Sequence, residues 1–224
     1  MTTNPPDLPS LLAAGERLRP SHPKAPEIWK LLWEGEALLL KSYHHAGPAY
    51  RQTVGRLAIS REWDALSKLS GKQVAPAAKW RLSPWSMVME WVDGFPLEAY
   101  TPTDLCCQTL LGQAEKLLHT LEASHLAHAD LGHDFWGKTG RPSNLIWTRD
   151  HRLVAIDFAG SVPLNRGPAA ARKIARALQL HDQLLPTKIL YHFADDSFRD
   201  HPAWKLPARR GMPWWDLMRA LGKV

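Results

Sequence analysis

The sequence predicts an α+β chain in which a small antiparallel sheet comes first and helices dominate the remainder. Between residues 27 and 92 the apolar runs are of strand length and are separated by tight polar or Gly- and Pro-bearing turns. After residue 104 the longer stretches carry apolar residues at helical spacing, interrupted by one further hairpin. With 45% hydrophobic residues in 224, the chain can bury one large core or build two small lobes, which excludes general disorder.

Residues 1–26 hold six prolines and little periodicity, so they read as a loose arm with a short helix near Leu11 to Arg19. Ile28 to Trp33 and Ala37 to Tyr43 flank Glu34-Gly35-Glu36, a hairpin with a tight turn that places Lys41 near the end of an apolar strand. A basic, Gly-containing connection, His44 to Gly55, leads into a helix over Leu57 to Leu69, with Gly71 placed to stop it. Glu62 shares that helix with the core-facing Ala58, Leu66 and Leu69, so it can reach inward or pair on the surface. Val74 to Leu82, broken by Pro76, and Trp85 to Val92 read as strands, and Asp93-Gly94-Phe95-Pro96 as a turn or linker.

Asp104 to Ser124 has the apolar face of a long helix, built on Leu110 or Leu111, Ala114, Leu117, Leu118 and Leu121. It delivers the chain to His128-Ala129-Asp130. Leu145 to Trp147 and Leu153 to Ile156 then flank the polar turn Thr148 to Arg152, a hairpin with Asn144 entering and Asp157 leaving at one end. An amide oxygen and a carboxylate together suit a hard divalent cation such as Mg²⁺. A short connection, Ser161 to Pro168, precedes a basic helix from Ala169 to about Leu184. The last forty residues read as irregular packing closed by a short helix near Trp215 to Leu221.

The 28 Lys and Arg against 22 Asp and Glu give a formal charge of +6, which favours anionic partners or an acidic membrane surface. Eleven Trp read as packing residues, and no nucleic-acid motif accompanies them. Cys106 and Cys107 are adjacent, which offers no disulfide framework and fits a reducing compartment. No secretory signal pattern and no apolar run of spanning length occur, so the expected location is the cytoplasm, with attachment to the inner membrane face open. His125, His128, Asp130, His133 and Asp134 crowd together, and on their own they would also suit a metal hydrolase.

The ordered set is a strand ending in Lys41, a helix bearing Glu62, a strand ending at Glu90 to Val92, a long helix, His128-Ala129-Asp130, Asn144 and Asp157-Phe158-Ala159-Gly160. It resembles the protein-kinase-like superfamily, whose set is a strand lysine paired with a helix glutamate, an H-R-D loop with a downstream Asn, and D-F-G. Lys41-Ser42-Tyr43 and Ser60-Arg61-Glu62-Trp63 look most like the small atypical branch, the lipopolysaccharide-core sugar kinases and RIO-type kinases. The resemblance covers roughly residues 27–185. It implies a two-lobed fold with a sheet lobe over 27–92 and a reduced, mainly helical lobe over 93–224. The implied activity is phosphoryl transfer from ATP with Mg²⁺ to a hydroxyl on a sugar or other anionic glycan acceptor. A protein serine or threonine is the second acceptor, and nucleotide binding without transfer is the other alternative. By the same resemblance Lys41 serves the α- and β-phosphates and Glu62 holds it. Glu90 and Val92 offer backbone groups to adenine, Asp130 takes the hydroxyl proton, and Asn144 and Asp157 hold Mg²⁺.

The departures are specific. Asn144 follows Asp130 by fourteen positions rather than five, and the extra Gly132 to Ser143 segment is expected to bulge out, with Lys138 and Arg141 binding an anionic acceptor. No G-x-G-x-x-G precedes Lys41, and Ala129 replaces the Arg of H-R-D. No Ala-Pro-Glu segment comes after Gly160, which argues against regulation by phosphorylation.

Overall fold

The computed structural model describes residues 6–13, 15–100, 106–131 and 142–205. The chain divides into two compact units, Met1–Asp93 with Ile156–Ser161, and Gly94–Ala155 with Val162–Val224.

The first unit is a five-stranded antiparallel sheet with helices. Its elements are α1 (Leu8–Ala13), β1 (Gly15–Arg19), β2 (Glu27–Trp33), β3 (Glu36–Ser42), α2 (Pro48–Tyr50), α3 (Arg56–Lys68), β4 (Ala78–Ser83) and β5 (Ser86–Glu90). The strands lie in the order β1-β2-β3-β5-β4. At the β2–β3 turn both Glu34 and Gly35 have positive φ, 50° and 81°, the conformation that matches the strand twist in a two-residue hairpin. Leu11, Leu31, Leu38, Leu40 and Val88 form a buried cluster, with Trp29, Trp33, Trp80 and Leu82 packed around it. Lys41 pairs with Ile28 on one side and Met87 on the other.

Within the segment expected as a loose arm, residues 8–13 form a helix and residues 15–19 a strand, so the short helix expected near Leu11 to Arg19 lies earlier. Asp7 caps α1 by accepting from the Ser10 N–H at 2.7 Å, and Pro9 falls in the first turn, where a helix needs no N–H. Leu11 is fully buried, a contribution of about 2 kcal/mol. Gly15–Arg19 forms an edge strand that exposes Glu16, Arg17, Leu18 and Arg19. Charges on an edge discourage pairing with other chains and also erase the alternation that announces a strand.

The connection His44 to Gly55 is also more regular than expected. α2 runs through a π-helical turn, Arg51–Gly55, directly into α3. Gly71, at φ 74°, lies just beyond the C-terminus of α3.

The second unit contains β6 (Gly94–Pro96), α4 (Cys107–Ala123), β7 (Leu126–Ala127), β8 (Leu145–Thr148), β9 (Leu153–Ala155), β10 (Val162–Pro163), α5 (Ala169–Asp182) and α6 (Leu185–Phe193). β8 and β9 make the predicted hairpin, with Leu145 opposite Ala155. Gly94 to Pro96, expected as a turn or linker, is a third strand of that sheet. A Cβ on Gly94 would lie 2.4 Å from the Trp147 carbonyl, so the close approach of the two strands requires glycine. α4 buries Leu110, Leu111, Ala114, Leu117 and Leu121 and packs on α6. α6 corrects the expectation of irregular packing after Leu184: Leu185, Ile189 and Leu190 are buried, and Pro186 sits at the start of the helix, where it is tolerated. The expected helix at Trp215 to Leu221 and the start of α4 at Asp104 lie outside the described residues.

Candidate functional site

Two clusters of polar side chains form, one in each unit. In the first, β3 carries Lys41 on the face of the sheet opposite the Leu38, Leu40 and Val88 cluster, and only 5% of it is exposed. A buried ammonium needs partners, since desolvation costs several kcal/mol. Lys41 Nζ lies 2.7 Å from Glu62 Oε2 and 2.7 Å from Asp157 Oδ1. Glu62 projects from α3 and is 1% exposed. Helical periodicity left open whether it faced inward or paired on the surface, and the structure turns it inward.

Asp157 is held at φ 60°, ψ 65°, a left-handed conformation that a non-glycine residue keeps only where its surroundings enforce it. The enforcement is visible. Phe158 is fully buried in the turn that packs on α3, and its backbone N–H donates to the Glu62 carboxylate. Burial alone would push the Lys41 ammonium down, but the charges of Glu62 and Asp157 outweigh it and hold the group well above its ordinary value. Burial raises Glu62 above the usual carboxylate range, with Lys41 opposing. Burial also pushes the neighbouring Tyr43 phenol up to about 12, against the pull of Lys41. Lys41 is therefore charged at any physiological pH. Asp157, with 49% of its side chain exposed, is the member of the cluster open to solvent.

Glu90 ends β5 and Val92 follows it two residues later. The Glu90 N–H donates to Ala77 O at 2.8 Å, and Trp91 N–H to Ala37 O at 3.1 Å, so both strands flanking β5 are tied there. The backbone of Val92 takes no hydrogen-bond partner among the described residues.

The second cluster joins Asp130 to Asn144. Asn144 Nδ2 donates to the Asp130 main-chain oxygen at 2.9 Å and to its Oδ2 at 2.8 Å, which leaves Asn144 Oδ1 as the amide's acceptor atom. The fourteen-residue separation therefore does not keep the two apart. Asn144 and Ala129 stand at φ 56° and 70°, so this cluster too is built on strained backbone. Pro142 and Ser143 are described, but Lys138 and Arg141 lie outside the described residues.

Sequence reading missed what holds this loop. Asp182, at the end of α5 and 2% exposed, accepts from His128 N–H at 2.6 Å and from Ala129 N–H at 3.0 and 3.1 Å. Lys188, on α6 and 8% exposed, donates to the Leu131 carbonyl at 3.4 Å. Burial pushes the Asp182 carboxyl up to about 6, opposed by the two N–H groups and by Lys188. Burial and the Lys188 charge push the adjacent His181 down to about 4. No local signal marked it, since the same helix also carries the successive ionisable pair Arg172-Lys173 with both residues exposed.

His128 is fully buried and His125 is exposed, so these two histidines do not converge. Among the described residues no group of three or more His, Cys, Asp or Glu is arranged to hold a metal ion. His133 and Asp134 lie outside those residues.

Neither a known protein family's sequence pattern nor any curated protein matches this chain. Its structure does match solved ones. The Rio2 kinase from Chaetomium thermophilum superposes with a TM-score of 0.60 at 16% identity, over 88% of this chain. The chain spans 62% of the length of that kinase structure. With its antiparallel sheet in one unit and its helices mainly in the other, the chain has a protein-kinase-like α+β fold.

Proposed function

We propose that this chain is a phosphotransferase that moves the γ-phosphoryl group of Mg²⁺-ATP to a hydroxyl, with a sugar or anionic glycan as acceptor. The observation that carries the reading is the buried Lys41, locked at 2.7 Å between Glu62 and the half-exposed Asp157. A cation fixed by two carboxylates costs desolvation energy that a purely structural site would not need to bear, and such strained ionic sites concentrate where charge is handled.

The donor set fits the cofactor. Asp157 offers a solvent-accessible carboxylate and Asn144 an amide oxygen, the hard oxygen ligands that Mg²⁺ takes one or two at a time while keeping its waters. Bound Mg²⁺-ATP would supply the phosphoryl group and the cation that neutralises the charge developing on it. Lys41 would act as a point charge on phosphate oxygens, kept protonated and in place by Glu62. Asp130, oriented by the Asn144 amide, would accept the proton of the attacking hydroxyl. The Glu90 carbonyl and the Val92 backbone would recognise a flat heterocycle by hydrogen bonds. These residues position groups and stabilise charge, which is most of what phosphoryl transfer asks of a protein.

The net charge of +6 supports an anionic acceptor. Among the described residues no helix is long and apolar enough to cross a membrane. The place of action under this reading is the cytoplasm, with basic residues able to hold the protein at an acidic membrane surface.

The test uses labelled ATP, Mg²⁺ and a cell lysate separated into protein, glycan and lipid fractions, with wild type, Asp130→Ala and Asp157→Ala. Label should enter the glycan fraction and fall at least about a thousandfold in either variant. Label confined to protein would transfer the assignment to a serine or threonine kinase. Saturable ATP binding with no label anywhere would reduce the activity to nucleotide binding. Equal labelling by all three proteins removes the phosphotransferase reading.

A further inference from the structure

We infer that the cavity at the C-terminal end of α6 binds an uncharged sugar ring and so seats the acceptor of the phosphotransferase proposed above. The inference rests on that reading for its purpose and on the cavity itself for its ligand. The cavity measures about 590 Å³, within the range of small-molecule sites, about 300–1,000 Å³. Its walls come from the end of α6 and from the two 3₁₀ turns that follow, Asp196–Phe198 and Pro202–Lys205.

Three aromatic rings line it, those of Tyr191, Phe198 and Trp204. Trp204 Nε1 donates to Phe198 O at 2.9 Å, which ties the two turns together. Thr187 Oγ1, on α6, donates to Ala203 O at 2.7 Å and fastens the second turn to the helix. The walls are therefore set before any ligand arrives, while Tyr191 stays 47% exposed. Rings held in this way offer flat apolar faces to the C–H side of a pyranose.

The polar groups fit hydroxyls. Asp195 Oδ1 accepts from Ser197 N–H at 2.9 Å and from the Ser197 hydroxyl, and its Oδ2 takes no hydrogen bond among the described residues. Arg199 Nη2 lies 3.1 Å from Asp196 Oδ1, and a guanidinium has further N–H groups to donate. A hydroxyl both donates and accepts, so it uses a carboxylate and a guanidinium together. Asp195 repels a carboxylate or phosphate on the ring and Arg199 repels an ammonium, so the ring seated here is uncharged.

The helix links this cavity to the chemistry. Lys188 and Tyr191 are i and i+3 on one face of α6, about 5 Å apart along its axis. Lys188 Nζ lies 3.4 Å from the carbonyl of Leu131, the residue after Asp130. A sugar stacked on Tyr191 thus lies on the side of α6 that supports the Asp130 loop.

Ligand-observed NMR without nucleotide tests the cavity on wild type, Tyr191→Ala, Tyr191→Phe and Asp195→Asn. The probes are the methyl glycosides of glucose, mannose and galactose, with methyl glucuronide and choline as charged counterparts. At least one neutral glycoside should bind wild type saturably, with Kd on the order of 1 mM, and more tightly than either charged probe. Tyr191→Ala should weaken it about tenfold, the value of one aromatic stack, and Tyr191→Phe should keep it within about twofold. Asp195→Asn still caps its turn and should weaken binding about fivefold, because a neutral hydrogen bond replaces a charge-assisted one. Circular dichroism checks that each variant is folded. No saturable binding of a neutral glycoside to wild type, tighter binding of a charged probe, or equal binding to Tyr191→Ala overturns the sugar site and leaves the phosphotransferase reading standing. Glycoside binding that Tyr191→Ala weakens, in a protein that labels no glycan from ATP, keeps the sugar site and removes both its acceptor role and the glycan phosphotransferase reading.

Discussion

The two clusters solve one problem, holding a carboxylate at or beside strained backbone, by opposite means. Asp157 is restrained through side chains, by an ion pair with Lys41 and by Phe158 packed on α3. Asp130 is restrained through the main chain, because Asp182 grips the two N–H groups before it and Lys188 the carbonyl after it. The first arrangement makes three side chains indispensable as types. The second leaves the residue types at 128 and 129 less restricted, since every residue but proline presents an N–H. That freedom explains how Ala129 can occupy φ 70° with no side chain contributing.

The contrast is most easily broken at Lys41. Lys41→Met leaves Glu62 buried without a counter-charge, and losing one partner of a buried pair costs about 3–5 kcal/mol. Urea unfolding should show this deficit at neutral pH. The folded-state pKa of Glu62, already raised, rises further in the variant, so the stability it contributes is present at low pH and lost as pH rises. The deficit should therefore widen from acid to neutral pH. A deficit below about 1 kcal/mol at all pH values would mean the triad is not structural.

Asp182→Ala attacks the other arrangement and should cost less, about 2–3 kcal/mol for leaving buried N–H groups unpartnered. Its functional signature is more specific. Under the proposed activity, phosphoryl transfer should fall about a hundredfold from misplacement of Asp130, while ATP affinity stays at the wild-type value. Loss of ATP affinity in parallel would show that Asp182 supports the whole unit rather than this loop.

Legibility in the sequence divides along the same line. Lys41 and Asp157 sit at positions whose strand and turn are written locally, as are the β2–β3 and β8–β9 hairpins, whereas the helix bearing Glu62 was legible but its inward direction was not. β1 was hidden because a charged edge strand has no buried face to impose alternation. β6 was hidden because three residues containing Gly and Pro carry turn chemistry even when a neighbouring strand overrides it. Asp182 was hidden for a different reason: its partners are backbone groups more than fifty residues away, and backbone groups leave no mark on sequence.

The finest test concerns His181 and Asp182, neighbours that burial shifts in opposite directions. His181 is depressed to about 4, so it contributes stability above its unfolded value of 6.5 that is lost as pH falls. Asp182 is raised to about 6 from 3.8, so its contribution is present at low pH and lost as pH rises through 6. Over the window from about pH 4 to 6.5 the two slopes oppose each other, and wild type should show little net pH dependence from this pair. His181→Gln removes one slope and leaves the other. Relative to wild type the variant should gain about 2 kcal/mol on going from about pH 7 to about pH 5, read from urea midpoints at fixed m-value. Parallel curves for the two proteins would place His181 in contact with solvent and disconnect it from the loop that Asp182 holds.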